Sequence, residues 1–234
     1  VVVGSGAGGG VVAGTLAAAG RDVIVIEKAA ARSAPDFDDD EYTGYQRYFE
    51  NQAVLTTVDL GVSILAGSAL GGGTTINWAV SFNTPDGVRS EWESEHGVEG
   101  ITGAEFGQDL ESVSERIGVN DEDAIASPSG LKLEQGATSL GLPWGRTPLN
   151  VVGCAAEGAE RCGFCTFGCP RDRKRSTLVT YLSDAANHGT RFLTDAYVEA
   201  VLACQGDPDD GDHDHGEAPQ PARCQDLQHG RPCR

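Results

Sequence analysis

The 234-residue chain carries 35 acidic residues against 17 basic ones, a formal net charge of −18, and 39% of its residues are hydrophobic. So little basic surface excludes a protein that works by neutralising nucleic-acid phosphates, and no apolar run reaches the roughly eighteen residues of a membrane-spanning helix. Acid spread along the chain, with lysine only at Lys28, Lys132 and Lys174, fits a protein kept soluble in high salt.

In chain order, Val1–Val3 is a short, fully apolar run of the kind found in buried parallel strands. The glycine-rich Gly4-Ser5-Gly6-Ala7-Gly8-Gly9 follows, and small residues then predict a helix from about Gly8 to Ala19, stopped by Gly20. Val23–Glu27 predicts a second strand, which completes a βαβ unit. From Ala31 to Tyr48 the periodicity fails, and Pro35 with the acid run Asp36–Glu41 reads as a solvated loop. Ala53–Val58 and Val62–Leu65 are strand-like. Pro85-Asp86 opens a short helix through Glu95, and Thr102 with Glu105 predicts a capping box starting a helix to Ile117. Ser127-Pro128 starts another helix, closed by Gly141. Ser176–Asn187 is helix-like, and Arg191–Leu193 with Tyr197–Leu202 reads as a hairpin or a sheet edge. After Leu202 the chain turns to Asp, Gly, His, Pro, Gln and Arg and cannot bury a core. Residues 203–234 are therefore expected to be a disordered acidic and polar tail, with a shifted reading frame as one explanation. Its Asp212-His213-Asp214-His215 run reads as flexible chain rather than a metal site.

The spacing Gly4-x-Gly6-x-x-Gly9, directly after a strand and opening a helix, is a dinucleotide-binding fingerprint in its proper context. Gly4 serves the tight turn, Gly6 the close approach of a diphosphate, and Gly9 the packing of helix on sheet. The helix N-terminus adds N–H donors and a positive dipole end. Glu27, at the end of the second strand, is placed to accept ribose hydroxyls, which favours a free 2′-OH and hence FAD or NAD over NADP. A second glycine-rich stretch, Gly67 to Trp78, contains Gly71-Gly72-Gly73-Thr74-Thr75-Ile76-Asn77. Consecutive glycines let backbone pass close to a flat ligand, while Thr74, Thr75 and Asn77 offer hydroxyl and amide groups.

With GSGAGGG and Glu27, LGGGTTINW, and RKRSTLVTYLSDAANHGTRFLTDAYVEAVL in this order, the chain resembles the glucose–methanol–choline (GMC) flavin oxidoreductases. The likeness spans most of residues 1–202 and is nearest to the long-chain alcohol oxidase and dehydrogenase branch. It implies an α/β fold: an incomplete FAD-binding, Rossmann-like βαβ domain over residues 1–202, part of a second substrate domain, and the tail. It implies that Gly4, Gly6, Gly9 and Glu27 hold the ADP half of FAD. Gly72, Gly73, Thr74 and Asn77 would lie along the diphosphate and flavin, and Val198 would contact adenine through its backbone. Ile76 stands where some members carry a flavin-linking His, so the FAD is expected to be noncovalent. The implied activity is oxidation of an alcohol, with hydride passing to flavin N5 and an unidentified acceptor taking the electrons. The family's catalytic His has no match here, so the catalytic residue is unassigned and the isolated chain is expected to be inactive. The absence of Met and an opening inside a strand read as part of a longer protein. A non-catalytic FAD-binding remnant of a disrupted gene is the alternative, and an NAD-dependent dehydrogenase the next.

The chain has seven cysteines, of which Cys154, Cys162, Cys165 and Cys169 cluster in an inserted segment spanning residues 154–175. The spacing C-x7-C-x2-C-x3-C-P is close to a ferredoxin run, but Ala159 stands where that run has its first Cys. An iron–sulfur cluster, a zinc ion, or a redox-silent or disulfide-clipped loop shaping the substrate or partner side are the three readings. The neighbouring Arg171–Arg175 is the densest basic patch, expected to pair with the protein's own carboxylates or dock an acceptor. No basic segment precedes the apolar start, so no export signal is visible, and a cytoplasmic location is expected.

Overall fold

A computed structural model describes residues 1–38, 40–156 and 162–201, together with the backbone of 203–204 and 224–225. The chain divides into two compact units, Val1–Ala196 and Tyr197–Arg234.

The first unit is built on a three-stranded parallel sheet in the order β1 (Val2–Val3), β2 (Ile24–Ile26), β5 (Arg191–Leu193). Between β1 and β2 runs helix α1 (Ala7–Ala18), so the predicted βαβ unit is present within a residue at each boundary. A helix packs closely on a sheet or a second helix only if its contact face is thin, and α1 buries Gly10, Ala13, Gly14 and Ala17. That face meets α7 (Tyr181–Asn187): a Cβ at Gly14 would sit 3.0 Å from the Tyr181 carbonyl oxygen. Beneath it Val2, Ala13, Ala17, Val23, Val25 and Ala185 form the sheet core, with Phe192 packed against them.

A second core is aromatic. Phe37, Tyr48, Phe49 and Phe167 gather around Ile76. Phe37 meets Tyr48 edge to face at 5.4 Å, and Tyr45 meets Phe167 likewise at 5.1 Å. This core contains the first departure from the sequence reading. Residues 41–48 are not loop but helix α2 (Glu41–Tyr48), capped by the Asp40 carboxylate, which accepts from the Thr43 N–H at 3.3 Å. The acid run hid a cap.

The strand-like stretches after it form the short antiparallel pair β3 (Leu55–Thr56) and β4 (Ser63–Ile64), followed by the single turn α3 (Gly73–Ile76). Helices α4 (Asp86–His96), α5 (Ala104–Arg116) and α6 (Pro128–Ser139) come next. The capping box at Thr102 does not form. Gly103 caps α5, and the Thr102 hydroxyl is taken by the Glu93 carboxylate instead. Ser127 caps α6 as predicted, its hydroxyl accepting from the Gly130 N–H at 3.1 Å. The helix expected over Ser176–Asn187 is broken at Thr180 (φ −117°, ψ −100°) into a one-turn 3₁₀ segment, Thr177–Val179, and α7. Of the two readings of Arg191–Leu193, the sheet edge is the one found: β5 joins β2 in parallel at the end of the sheet, and residues 197–201 form no strand.

In the second unit Ala203–Cys204 (β6) pairs antiparallel with Cys224–Gln225 (β7). The rest of the expected tail, with its Asp-His run, lies outside the described residues.

Candidate cofactor-binding site

The two glycine-rich stretches meet. Gly4 takes φ +85° to turn the chain out of β1, and its N–H donates to the Ile26 carbonyl at 2.8 Å. Gly9 returns over that turn so closely that a Cβ on it would lie 2.0 Å from the Gly4 carbonyl oxygen. From the other side comes Gly72, at φ +54° and ψ −138°, with its Cα–H face against Gly6: a Cβ there would lie 2.9 Å from the Gly6 Cα. No side chain larger than hydrogen fits these contacts.

Three polar side chains fasten the junction. Ser5, wholly buried, donates its backbone N–H (2.9 Å) and its hydroxyl (2.6 Å) to one oxygen of Glu27, while its own oxygen accepts from the Gly71 N–H at 2.9 Å. Glu27 is 7% exposed, and its other oxygen accepts from the Ala29 N–H at 2.9 Å. A carboxylate has about four acceptor positions, so three donors leave it one for a ligand hydroxyl. Thr177 closes the third side. Its N–H donates to the Thr74 hydroxyl oxygen at 3.0 Å, and its hydroxyl reaches toward the Ser5 and Gly71 carbonyls at 3.3 Å each. The Thr74 hydroxyl donates to the Gly71 carbonyl at 2.6 Å, so it staples its own loop.

The junction is open where a ligand would need it. Ideal Cβ positions at Gly6, Gly8 and Gly73 meet nothing within 4 Å. Gly6 caps α1 without any side-chain acceptor, and the first turn of α1 carries no acid. Its leading N–H groups and positive dipole end are therefore uncommitted to protein side chains, which is the donor set a diphosphate takes. Asn77 is exposed at the end of α3, with its side-chain carbonyl accepting from Ala79 N–H at 3.2 Å. Ile76 points the other way, into the aromatic core, 4% exposed. Val198 belongs to the second unit.

Of the sequence-predicted positions, the structure gathers Gly4, Gly6, Gly9, Glu27, Gly72, Gly73 and Thr74 into one junction. Sequence reasoning missed Ser5, Thr177 and Lys174. Ser5 sat inside the quoted motif at an unconstrained position. Thr177 lies 172 residues from the Ser5 carbonyl it approaches, and no local pattern signals such a contact.

The cysteine segment lies beside this loop. Cys154, Cys162, Cys165 and Cys169 are free and half-buried, and they share the lining of a cavity of about 240 Å³ with Trp78, Asp123 and Lys174. They are not gathered as ligands: among the described residues no three of these thiols lie within 4.8 Å of one another. Burial raises the thiol pKa of Cys154 and Cys165, which keeps them protonated, whereas a metal takes the thiolate. The Cys169 sulfur accepts from the Arg173 and Lys174 N–H groups at 3.2 and 3.4 Å, as a loop-shaping contact does. The iron–sulfur and zinc readings therefore find no support, and the four free thiols form no disulfide clip. Glu91, Glu95 and His96 do approach within 4.8 Å, but as an exposed surface group.

Lys174 corrects the reading of its patch. It is 2% exposed, and its ammonium reaches three backbone carbonyls rather than a carboxylate or a partner surface: Thr75 at 2.5 Å, Asn77 at 2.9 Å, and Cys165. Desolvation pushes its pKa down to about 8. His96 and His188 are exposed at helix ends, and His213, His215 and His229 lie outside the described residues.

Comparison with known proteins gives a family match and several relatives. A family model described as GMC oxidoreductase matches residues 45–223. Long-chain-alcohol oxidase FAO4B of Arabidopsis thaliana is 37% identical over 202 residues, covering 86% of this chain and 26% of that protein. Long-chain-alcohol oxidase FAO1 of the same plant is 34% identical over 207 residues, 88% of this chain and 27% of that protein. An uncharacterized GMC-type oxidoreductase of Mycobacterium tuberculosis (strain H37Rv), Rv0492c, is 33% identical over 210 residues, 86% of this chain and 32% of that protein. The chain thus spans between a quarter and a third of the length of these relatives. No helix among the described residues is long and apolar enough to cross a membrane.

Proposed function

The chain belongs to the GMC oxidoreductase family, and from that premise we propose that it forms the diphosphate-cradling part of an FAD-dependent oxidoreductase acting on alcohols. The observation that carries the reading is the contact of Gly6 with Gly72. It brings two glycine turns from opposite ends of a long excursion into one cradle, with open faces at Gly6, Gly8 and Gly73. The first turn serves either dinucleotide; the second, stapled to it through Ser5 and Thr177, lies within the stretch that matches the flavin-dependent family.

Each residue then has a task. The first N–H groups of α1 meet the diphosphate charge. Glu27, held rigid by Ser5 and Ala29, offers its remaining acceptor position to a ribose hydroxyl. Gly72 lets its loop close on Gly6, and Gly73 lets the backbone lie against the cofactor without a side chain between. Asn77, at the loop's exposed end, presents its amide toward the ring-bearing part. The buried side chain of Ile76 leaves no nucleophile at the position where a covalent link would form, so the flavin is held noncovalently. Bound FAD would supply the hydride acceptor for the alcohol carbon. The long-chain-alcohol oxidases among the relatives favour a long-chain alcohol as the substrate class.

Titration of the chain with FAD, followed by flavin fluorescence, tests this. Saturable binding with release of free flavin on acid precipitation is expected. Gly72→Ala, which places a methyl against the Gly6 Cα, should weaken binding at least tenfold. Binding of NAD with no binding of FAD would overturn the reading in favour of a nicotinamide enzyme. Alcohol-dependent dye reduction by this chain alone would overturn the expectation that it lacks a catalytic base.

A further inference from the structure

Lys174 is the most deeply buried cation of the first unit's described residues, and nothing in the proposed cofactor chemistry uses it. An ammonium has three N–H donors, and all three are placed: on Thr75 and Asn77 in the second glycine loop, and on Cys165 in the cysteine segment. Burying a cation among carbonyl dipoles is costly, and a well-packed apolar side chain of the same length would avoid that cost. The arrangement therefore does something that packing alone would not. The two loop carbonyls it takes belong to the last turn of α3 and to its cap, where carbonyl oxygens lack helical partners and a cation is favoured. Pulling both onto one nitrogen fixes the orientation of the Thr75–Ile76 and Asn77–Trp78 peptides. It also fixes Asn77, whose amide is exposed at the loop's end.

We propose that Lys174 is a positioning residue for the cofactor loop. Its ammonium clamps the Thr75 and Asn77 carbonyls to the Cys165 carbonyl, so that the glycine loop and the cysteine segment hold one shape, the shape that takes FAD. The proposal rests on the FAD reading above. The clamp also gives the cysteine segment a role without metal: it supplies, through Cys165, the anchor on which the loop is held.

The test compares K174M, which removes every donor at similar length, with K174R, which keeps charge and donors. FAD affinity, the visible spectrum of bound flavin and the thermal unfolding midpoint are read for each. K174M should raise the FAD dissociation constant at least tenfold and shift the flavin band, and K174R should return affinity to within threefold of the parent. Equal FAD affinity in K174M and the parent would overturn the proposal. So would an equal loss in K174M and K174R, which would mark a packing role. Should K174M fail to fold, K174Q, which keeps two N–H donors without charge, takes its place in the same comparison. Should the parent itself not bind FAD, the cofactor reading falls and the clamp is judged by hydrogen exchange. Amides of residues 72–77 should then exchange at least tenfold faster in K174M than in K174R, and equal rates would overturn it.

Discussion

Helices α1 and α6 are both twelve residues long, yet they belong to differently built regions. α1 has four buried positions, all Gly or Ala, and a methyl at its two glycines would lie 2.8 Å from the Thr177 Cβ (Gly10) and 3.0 Å from the Tyr181 carbonyl oxygen (Gly14). α4, α5 and α6 have no buried residue at all, and Leu131, Leu133 and Leu140 stand between 45% and 75% exposed. The first region is specified by exclusion: only small side chains permit the approach of α1 to α7 and of Gly6 to Gly72. The second is specified by caps and periodicity, with its apolar faces uncovered. The two are tied where Arg116, at the end of α5, holds the Asp184 carboxylate of α7 at 2.5 Å and lies over the Tyr181 ring. The site sits in the crowded region because a cofactor that must touch backbone needs backbone brought together first.

That contrast can be broken most forcefully at Gly9. Gly9→Ala drives a methyl onto the Gly4 carbonyl, and a loss of about 3 kcal/mol or more in urea unfolding is expected. A loss below about 1 kcal/mol would mean that the turn is loose and the crowding unreal.

Lys174 sharpens the contrast through pH. Its pKa is lowered from the ordinary 10.5 to about 8 by burial. Between these values the unfolded chain holds a proton that the folded chain has released, so the lysine's contribution makes stability rise with pH across that window. The raised thiols of Cys154 and Cys165 work in the opposite sense, because the folded state keeps protons that the unfolded thiols lose above about pH 9. Comparing the parent with K174M removes the Cys154 contribution, while Cys165, which the ammonium holds down, rises further in K174M and so adds to the parent's gain. The parent should gain on K174M as pH rises from about 8 to 10.5, and a flat difference would show the ammonium to be better solvated than its burial indicates.

The smallest effect is expected in the other region. Gly136, inside α6, has nothing within 4 Å of its Cβ position. Gly136→Ala should stabilise by about 0.5–1 kcal/mol, through helix propensity alone. A loss there would reveal a hidden neighbour and make the two regions alike.

How far the sequence could be read follows the same division. Val1–Glu27 was legible because apolar strand, glycine turn and small-residue helix all point to one unit. Asp40 and Thr102 misled in opposite directions. Asp40 looked like one more solvated acid but is the cap of α2. Thr102 had the spacing of a capping box, but Glu93, nine residues away, took its hydroxyl. The glycine pattern located the turns but not their contact, since Gly6 and Gly72 are joined only through the fold. Lys174 was hidden by its neighbours: three arginines and an aspartate around it suggested surface, and only the packed chain shows the lysine turned inward.

One consequence of the sheet order concerns the birth of the protein. Strand β2 has β1 on one side from the start, but its other edge pairs with Arg191–Leu193. A ribosome adding about 5–20 residues per second needs roughly ten to thirty seconds to travel from one to the other. Throughout that interval Ile24-Val25-Ile26 offers an unpaired apolar edge to any passing chain. Yield of soluble protein should therefore depend on translation speed and on chaperones that shield strands, more than on the stability of the finished fold.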